Sequence, residues 1–178
     1  ILYIRIPIFK FNELNFFLSE IEKYKNAKIN AVVLDIRLNP GGSSWFWHNI
    51  LEQIIAHEYH WVQEFAFKKS SYMSQYIKNY NCCAQSFYSK QIIKQVEVRQ
   101  IPILNNQEYL VATIEQTLIP KKTSLNLSVP IYVIAHDIYS SAGGLLSFAR
   151  TASNFTIVGN ANPIPLGQGI DPCFFSLK

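Results

Sequence analysis

A paired-glycine turn follows the first strongly apolar run of the chain. The run Val32–Arg37 leads into Leu38–Gly42, which ends in Gly41 and Gly42. A residue without a Cβ lets the backbone approach a ligand closely and point bare N–H groups at it. The turn therefore predicts donors for a negatively charged oxygen.

A second apolar run ends in hydroxyl groups. Ile131–Ala135 leads into Tyr139–Gly144, which includes Ser140 and Ser141 at the start of an expected helix. A serine at this position lies near the positive end of the helix, where backbone N–H groups can stabilise an oxyanion. Together the two turns predict half of an acyl-transfer site.

Composition favours one α/β domain and excludes several function classes. The chain has 178 residues, of which 49% are hydrophobic and 14% aromatic. We find no apolar run near the ~18 residues of a membrane-spanning helix, so we expect no transmembrane segment. The net charge of +4 comes from scattered lysines. Since binding to a phosphate backbone needs clustered basic residues, nucleic acid is not an expected partner.

The cysteines predict neither a metal site nor a disulfide framework. Cys82, Cys83 and Cys173 lack the paired spacing of zinc ligands, and adjacent cysteines rarely bridge to each other. We expect no metal site. The redox compartment stays open.

Both ends of the sequence have strand-like patterns. The chain opens on Ile1–Ile6 and closes on Phe174–Lys178. We therefore expect a fragment of a longer protein, so that a catalytic partner could lie in another part of it.

Hydrophobic periodicity predicts a strand, helix, strand, helix order in the first part of the chain. The predicted elements are a strand at Tyr3–Phe9, a helix from a cap at Asn12 to near Asn26, a strand at Ala31–Arg37 and a helix from Trp45 to about Tyr59. The second strand is apolar on both faces, which is typical of a strand covered by helices on each side.

The middle of the chain has a weaker pattern. Val62–Phe67 reads as a strand, whereas Ser71–Cys83 and Glu108–Leu118 read as helices. We interpret residues 60–128 as an insertion or lid that covers or flanks the cleft.

The last part returns to clear elements. The pattern predicts a strand at Ile131–Ala135, a helix from Ser140 to about Ala152 and a strand at Phe155–Val158. We further expect a loop at Gly159–Asp171 and a strand at Cys173–Leu177.

Four of these segments, in this order, resemble the C-terminal processing (tail-specific) serine peptidases, whose relatives include the tricorn core and the interphotoreceptor retinoid-binding protein repeats. Tyr3–Phe9 is similar to the first core strand, Leu34–Gly42 to the Asp-x-Arg-x-Asn-x-Gly-Gly signature, Tyr139–Ala142 to the nucleophile segment, and Thr156–Gly159 to a strand ending in Val-Gly. The resemblance implies a catalytic-core fragment with a ClpP/crotonase-like α/β fold, a mixed sheet and flanking helices.

The resemblance also implies roles for four residues. Ser140 matches the nucleophile, with Ser141 as the alternative, and the Ser141 amide with that of Gly41 or Gly42 matches the oxyanion hole. It implies a peptide or protein substrate, no cofactor, and a location outside the cytoplasm, periplasmic or secreted. It leaves the oligomeric state and the substrate specificity open.

The sequence departs from the family pattern at two positions. Gly143 stands where the family has an acidic residue, and Gln168, in Leu166–Gly169, stands where the family has its general-base lysine. Glutamine cannot take a proton, so the base is unassigned. His136 is a candidate base, although a histidine at a strand end is commonly satisfied by solvent or a carbonyl. The alternative is a catalytically degenerate member that binds a peptide or an apolar ligand.

Overall fold

The computed structural model describes residues 1–70, 91–100 and 108–159. The predictions for Ser71–Cys83, Cys173–Leu177 and almost all of Gly159–Asp171 lie outside these residues. The described chain forms two compact units, one of Ile1–Glu58 with the residues from Ile119 onward, and one of Tyr59–Leu118. Within the described residues, we see no helix that is long and apolar enough to cross a membrane.

The first unit contains a four-stranded parallel sheet. Its strands are β1 (Leu2–Arg5), β2 (Val32–Asp35), β6 (Ile131–Ile134) and β7 (Phe155–Val158), and their spatial order is β1, β2, β6, β7. The central pair is in register from Val32 opposite Ile131 to Asp35 opposite Ile134. The carboxyl ends of β2 and β6 are therefore neighbours, which brings the two predicted turns to one edge of the sheet.

Three helices accompany this sheet. They are α1 (Leu14–Glu22), which follows a short 3-10 turn (Phe11–Glu13), α2 (Ser44–Ile54) and α3 (Ser141–Ala149). The predicted cap at Asn12 is wrong, because this residue lies inside the 3-10 turn and the N-cap of α1 is Glu13, without a side-chain bond. The combination of a parallel sheet with flanking helices confirms the predicted α/β class.

The helices cover one face of the sheet. Each successive strand of this unit is added on the same side of the previous one, so right-handed crossovers place every connecting helix on the same face. Among the described residues, the helices that we expected on the second face of the sheet are not seen. Side chains on the covered face are buried, whereas several on the opposite face are exposed; the buried set includes Leu2, Ile4, Val32, Leu34, Ile131 and Val133, and the exposed set includes Tyr3, Arg5 and Tyr132.

The second unit is a three-stranded antiparallel sheet of β3 (Tyr59–Lys68), β4 (Gln91–Gln100) and β5 (Glu108–Leu118), with β5 in the centre. The predicted helix at Glu108–Leu118 is wrong. This segment pairs with β3 from Tyr109 to Leu118 and with β4 from Glu108 to Gln116, and these long-range hydrogen bonds outweigh the local pattern. β4 was not predicted, although Val96 and Val98 alternate with polar residues; a register shift between Ile93 and Gln95 interrupts this alternation.

A buried carboxylate closes the end of β2. Asp35 is fully buried and accepts hydrogen bonds from Arg37 Nε at 2.9 Å, Arg37 Nη2 at 2.6 Å and the Tyr3 hydroxyl at 2.5 Å. The bonds from Arg37 hold the pKa of the Asp35 carboxyl well below its usual range, against the opposing effect of burial. The bond to Asp35 raises the pKa of Tyr3. The three groups form a local network at the end of β2.

This network predicts an acid-sensitive contribution to stability. A carboxyl with a lowered folded pKa stabilises the protein above its unfolded pKa, about 3.9, and this contribution is lost as the pH falls toward the folded value. Arg37→Met should lower the free energy of unfolding at pH 7 by about 1–3 kcal/mol. Urea denaturation between pH 7 and 3 should show a smaller loss of stability on acidification in the variant than in the wild type.

Arg5→Met is the matched control. Arg5 is an exposed arginine opposite Asp35 in the β1–β2 register, and it forms no ion pair within the described part of the chain. We expect its substitution to change stability by less than about 0.5 kcal/mol. Equal effects of the two substitutions would contradict a specific role of the Asp35–Arg37 pair.

Candidate active site

Backbone hydrogen bonds join the two predicted turns directly. The Leu38 N–H donates to the His136 carbonyl at 2.8 Å, and the Tyr139 N–H donates to the Asn39 carbonyl at 3.1 Å. These bonds continue the pairing of β2 and β6 beyond the strand ends. The turns are therefore parts of one connected loop pair.

Gly41 lies against Ser140. A Cβ built on Gly41 would be 2.6 Å from Ser140 Cβ and 2.8 Å from the Tyr139 carbonyl oxygen, and its φ is +98°. Only glycine fits this position, because a side chain would overlap the other turn and would also be strained. The close approach brings the glycine turn into contact with the serine.

Ser140 adopts a rare backbone conformation and is exposed. Its φ and ψ are 52° and −127°, at the residue that precedes α3. Leu38 and Asp137 also have positive φ values, 61° and 47°. Non-glycine residues in such conformations cost about 1–3 kcal/mol each and often occur at functional sites. The strained turn therefore exposes Ser140 to solvent at the N-terminus of α3.

The side chain of Asn39 links three parts of the chain. This residue is fully buried, and its Nδ2 donates to the Ile6 carbonyl at 2.9 Å, while its Oδ1 accepts from the Gly41 N–H at 2.7 Å. Its backbone carbonyl also accepts the bond from Tyr139. Asn39 thus ties the segment after β1, the glycine turn and the serine turn together.

Two backbone N–H groups at the site are not used by the hydrogen bonds between the turns. The Gly41 N–H is bonded to Asn39, but the N–H groups of Gly42 and Ser141 have no acceptor in the part of the chain that the structure describes. Gly42 is exposed. Ser141 is the first residue of α3, where an N–H has no intrahelical partner. Both donors therefore remain available for a ligand.

The other candidate groups occupy different environments. The imidazole of His136 is about half-exposed and its Nε2 lies 3.2 Å from Asp137 Oδ2. No side chain of the described residues hydrogen-bonds to Ser140. Gln168 lies outside these residues. His48, in α2, is buried, and burial lowers its pKa to about 3, so it is neutral at pH 7.

Asn39 is the site residue that sequence reasoning missed. It lies within the signature-like segment Leu34–Gly42, but the sequence pattern assigns it no role. Its burial is visible only in the structure, because both neighbours, Leu38 and Pro40, are exposed. Its partner Ile6, however, is 33 residues away, and that contact is invisible in the local pattern.

The fold and the connected turns define an α/β protein with an exposed serine beside free backbone donors. The model for peptidase family S41 matches residues 1–163, and the chain belongs to this family. This match confirms the resemblance drawn from the motifs. No curated protein sequence matches the chain.

Two structures of mature CPAF share the fold at low identity. Mature CPAF in complex with lactacystin has a TM-score of 0.60 at 14% identity and covers 88% of this chain and 37% of its own. Another structure of mature CPAF has a TM-score of 0.59 at 13% identity, with 88% and 36% covered. The photosystem II D1 C-terminal processing protease has a TM-score of 0.49 at 14% identity, with 87% and 29% covered. The chain thus spans between a quarter and two fifths of these relatives' lengths.

The close approach of the turns predicts a position-specific glycine requirement. Gly41→Ala should lower the free energy of unfolding by more than about 2 kcal/mol, because its methyl group would overlap Ser140 in a strained conformation. Gly144→Ala is the matched control, since its Cβ would meet only Trp47 Cζ2 at 3.9 Å. Alanine within a helix should leave stability unchanged or raise it by up to about 1 kcal/mol. Chemical denaturation measures both, and equal tolerance would refute the contact.

Because Asn39 links three segments, we expect its substitution to lower the free energy of unfolding more than the substitution of another buried asparagine. Asn39→Ala leaves the Ile6 carbonyl and the Gly41 N–H unpaired, and each buried group costs about 1–3 kcal/mol. Asn49 is also buried, but its Nδ2 bonds only the Trp45 carbonyl of its own helix, at 2.8 Å. We expect Asn49→Ala to cost less than about 1 kcal/mol. The comparison uses denaturant unfolding, and a smaller loss for Asn39→Ala than for Asn49→Ala would contradict this account.

Proposed function

We propose that this chain is the serine-nucleophile core of a peptidase that hydrolyses peptide bonds, with Ser140 as the nucleophile. The observation that carries the proposal is the contact between the Gly41 turn and Ser140, next to backbone N–H groups without an acceptor among the described residues. Membership of peptidase family S41 supports the same reaction. The substrate is a peptide or protein.

Exposure favours Ser140 over Ser141. Ser140 is exposed, whereas the Ser141 Oγ is buried without a hydrogen-bond partner among the described residues. A nucleophilic oxygen must reach the scissile carbonyl carbon, which a buried hydroxyl does not. A strained strand-to-helix turn also suits a serine nucleophile, because it exposes the hydroxyl above the sheet.

The hydrogen-bond pattern favours Gly42 over Gly41 as the first oxyanion donor. The Gly41 N–H is already bonded to Asn39. In our proposal Gly41 is needed because its lack of a side chain lets the two turns approach each other, and the Gly42 N–H is the donor. The Ser141 N–H is the second donor. One such donor contributes about 2.7–4 kcal/mol to the stability of the transition state.

The reaction proceeds in two halves. Ser140 Oγ attacks the carbonyl carbon while its proton passes to a general base, and the oxyanion accepts bonds from Gly42 and Ser141. The carbon–nitrogen bond then breaks, the amine leaves with a proton, and an acyl-serine remains. Water attacks this ester, releases the acid and restores the hydroxyl. The base is unassigned, because glutamine at position 168 cannot take a proton and no side chain in the described part of the chain hydrogen-bonds to Ser140.

We also propose that the protein acts outside the cytoplasm. Support for this location comes only from the resemblance to the tail-specific peptidases.

A fluorophosphonate probe tests the proposed nucleophile. We expect the folded protein to be labelled on the peptide that contains Ser140, as located by mass spectrometry, and Ser140→Ala to abolish the labelling. Ser141→Ala should retain most of it, because the Ser141 amide is a backbone group and survives the substitution. Circular dichroism confirms that each variant is folded.

Two outcomes would contradict the proposal. Labelling that moves to Ser141 would reverse the choice of nucleophile. A folded wild-type protein that stays unlabelled at every serine would reject the hydrolase and leave the alternative, a binding module of the same fold.

A further inference from the structure

Four of the strands that the structure describes lie at the edge of a sheet. They are β1 and β7 in the parallel sheet, with four residues each, and β3 and β4 in the antiparallel sheet, with ten residues each. The outer edge of such a strand is a row of unpaired N–H and C=O groups on which another strand can form, and proteins protect it by shortness, bulges, prolines or charges. The shortness of β1 and β7 protects the parallel sheet.

β4 has the protection that a long edge strand needs. Its pairing with β5 shifts register between Ile93 and Gln95, so that Lys94 stands opposite no residue of β5. Such a bulge bends the strand and interrupts the row of hydrogen-bonding groups. The sequence of β4 also has three charged residues, Lys94, Glu97 and Arg99. This edge is therefore a poor partner for another strand.

β3 has no bulge and no proline. It pairs with β5 without interruption from Tyr59 to Lys68. Within the part of the chain that the structure describes, no strand pairs with its other edge. Its two residues that are charged at neutral pH, Glu64 and Lys68, have opposite signs. β3 is therefore the long edge that can accept another strand.

A hydrogen bond at the end of β3 shows which backbone groups face its outer edge. The Lys69 N–H donates to the Glu108 carbonyl at 3.1 Å, so the backbone groups of Lys69 face β5. Because this direction alternates along an antiparallel strand, the N–H and C=O groups of Glu64, Ala66 and Lys68 face away from β5. All three residues are exposed. They therefore offer a row of donors and acceptors to a new strand.

We propose that β3 of a second copy of this chain pairs with this edge, so that two copies form a dimer with a continuous antiparallel sheet. In such a pair a two-fold axis relates the copies, and each contact occurs twice. A pair centred on Ala66 places Glu64 opposite the partner's Lys68. Opposite charges at opposed positions stabilise a strand pair. The charge pattern of β3 therefore complements itself, which favours a second copy over an unrelated strand.

Sedimentation velocity tests the proposed dimer. The wild-type protein should change from monomer to dimer between about 1 μM and about 100 μM. Ala66→Pro removes an N–H group that faces the outer edge, a position where an edge strand tolerates proline. Because the symmetry removes two hydrogen bonds, we expect the dissociation constant to rise at least about tenfold. A wild-type protein that stays monomeric over this range would overturn the proposal.

Val98→Pro is the matched control on the edge of β4. Since Glu108 faces β3, its neighbour Tyr109 faces Arg99 of β4, and the N–H group of Val98 faces the outer edge. The side chain of Val98 is 54% exposed. This substitution should leave the dissociation constant of the dimer unchanged within about twofold. An equal loss of affinity in both proline variants would contradict pairing through β3.

A charge exchange tests the same pairing without a change of backbone, and it decides the question even if Ala66→Pro does not fold. Glu64→Lys and Lys68→Glu each oppose like charges, so each should weaken the dimer about two- to tenfold. The double variant restores opposite charges and should regain the wild-type dissociation constant within about twofold. A double variant that dimerises as weakly as the single variants would overturn the proposed pairing.

The dimer and the proposed function fail independently. The contacts of β3 do not involve the serine turn, so Ser140→Ala should dimerise like the wild type. A dimer that the fluorophosphonate probe does not label would reject only the nucleophile, whereas a labelled protein that stays monomeric would reject only the dimer.

Discussion

The hydrogen bonds of a single buried amide hold the site together. Asn39 bonds the Ile6 carbonyl and the Gly41 N–H through its side chain and the Tyr139 N–H through its backbone. These partners come from three segments that are distant in sequence. The two side-chain bonds are buried, where an unpaired polar group is costly, so the segments must keep their relative positions. The placement of Ser140 beside the glycine turn depends on this constraint.

Strand order explains why the turns meet at all. β2 and β6 are neighbours in a parallel sheet although a whole second unit lies between them in the sequence. Their carboxyl ends therefore share an edge, which is where open α/β sheets commonly bind ligands. The same arrangement accounts for the cluster of unusual backbone conformations at Leu38, Asp137 and Ser140. The network of bonds stabilises conformations that these residues would otherwise avoid.

The sequence was informative where the structure depends on local pattern. The bounds of β7, Phe155–Val158, match the prediction, and the two apolar runs became β2 and β6. Glu108–Leu118 misled because Leu110, Ile114 and Leu118 recur every four residues, as on a helix face. The segment is a strand because its backbone groups pair with two distant strands. The hydrophobic periodicity of one segment does not reveal such long-range pairing.

The candidate site, too, could be predicted from the sequence only in part. The glycine and serine turns were recognisable from residue type and order, but the choice between Gly41 and Gly42 was not. That choice depends on which N–H group Asn39 occupies, and this follows from side-chain geometry in the folded state. The same holds for the choice between Ser140 and Ser141, where exposure separates two residues that are identical in type. Spacing favours Ser140, and the exposure of the two hydroxyls supports it independently.

Amide hydrogen exchange, read by nuclear magnetic resonance on the unmodified protein, tests the central geometry most directly. The account predicts that the Gly41 amide exchanges slowly, because it is buried and bonded to Asn39, while the amides of Gly42 and Ser141 exchange rapidly. A protected Gly42 amide, or a Gly41 amide that exchanges as fast as its neighbour, would contradict it. Either result would mean that the glycine turn does not hold a free donor beside Ser140.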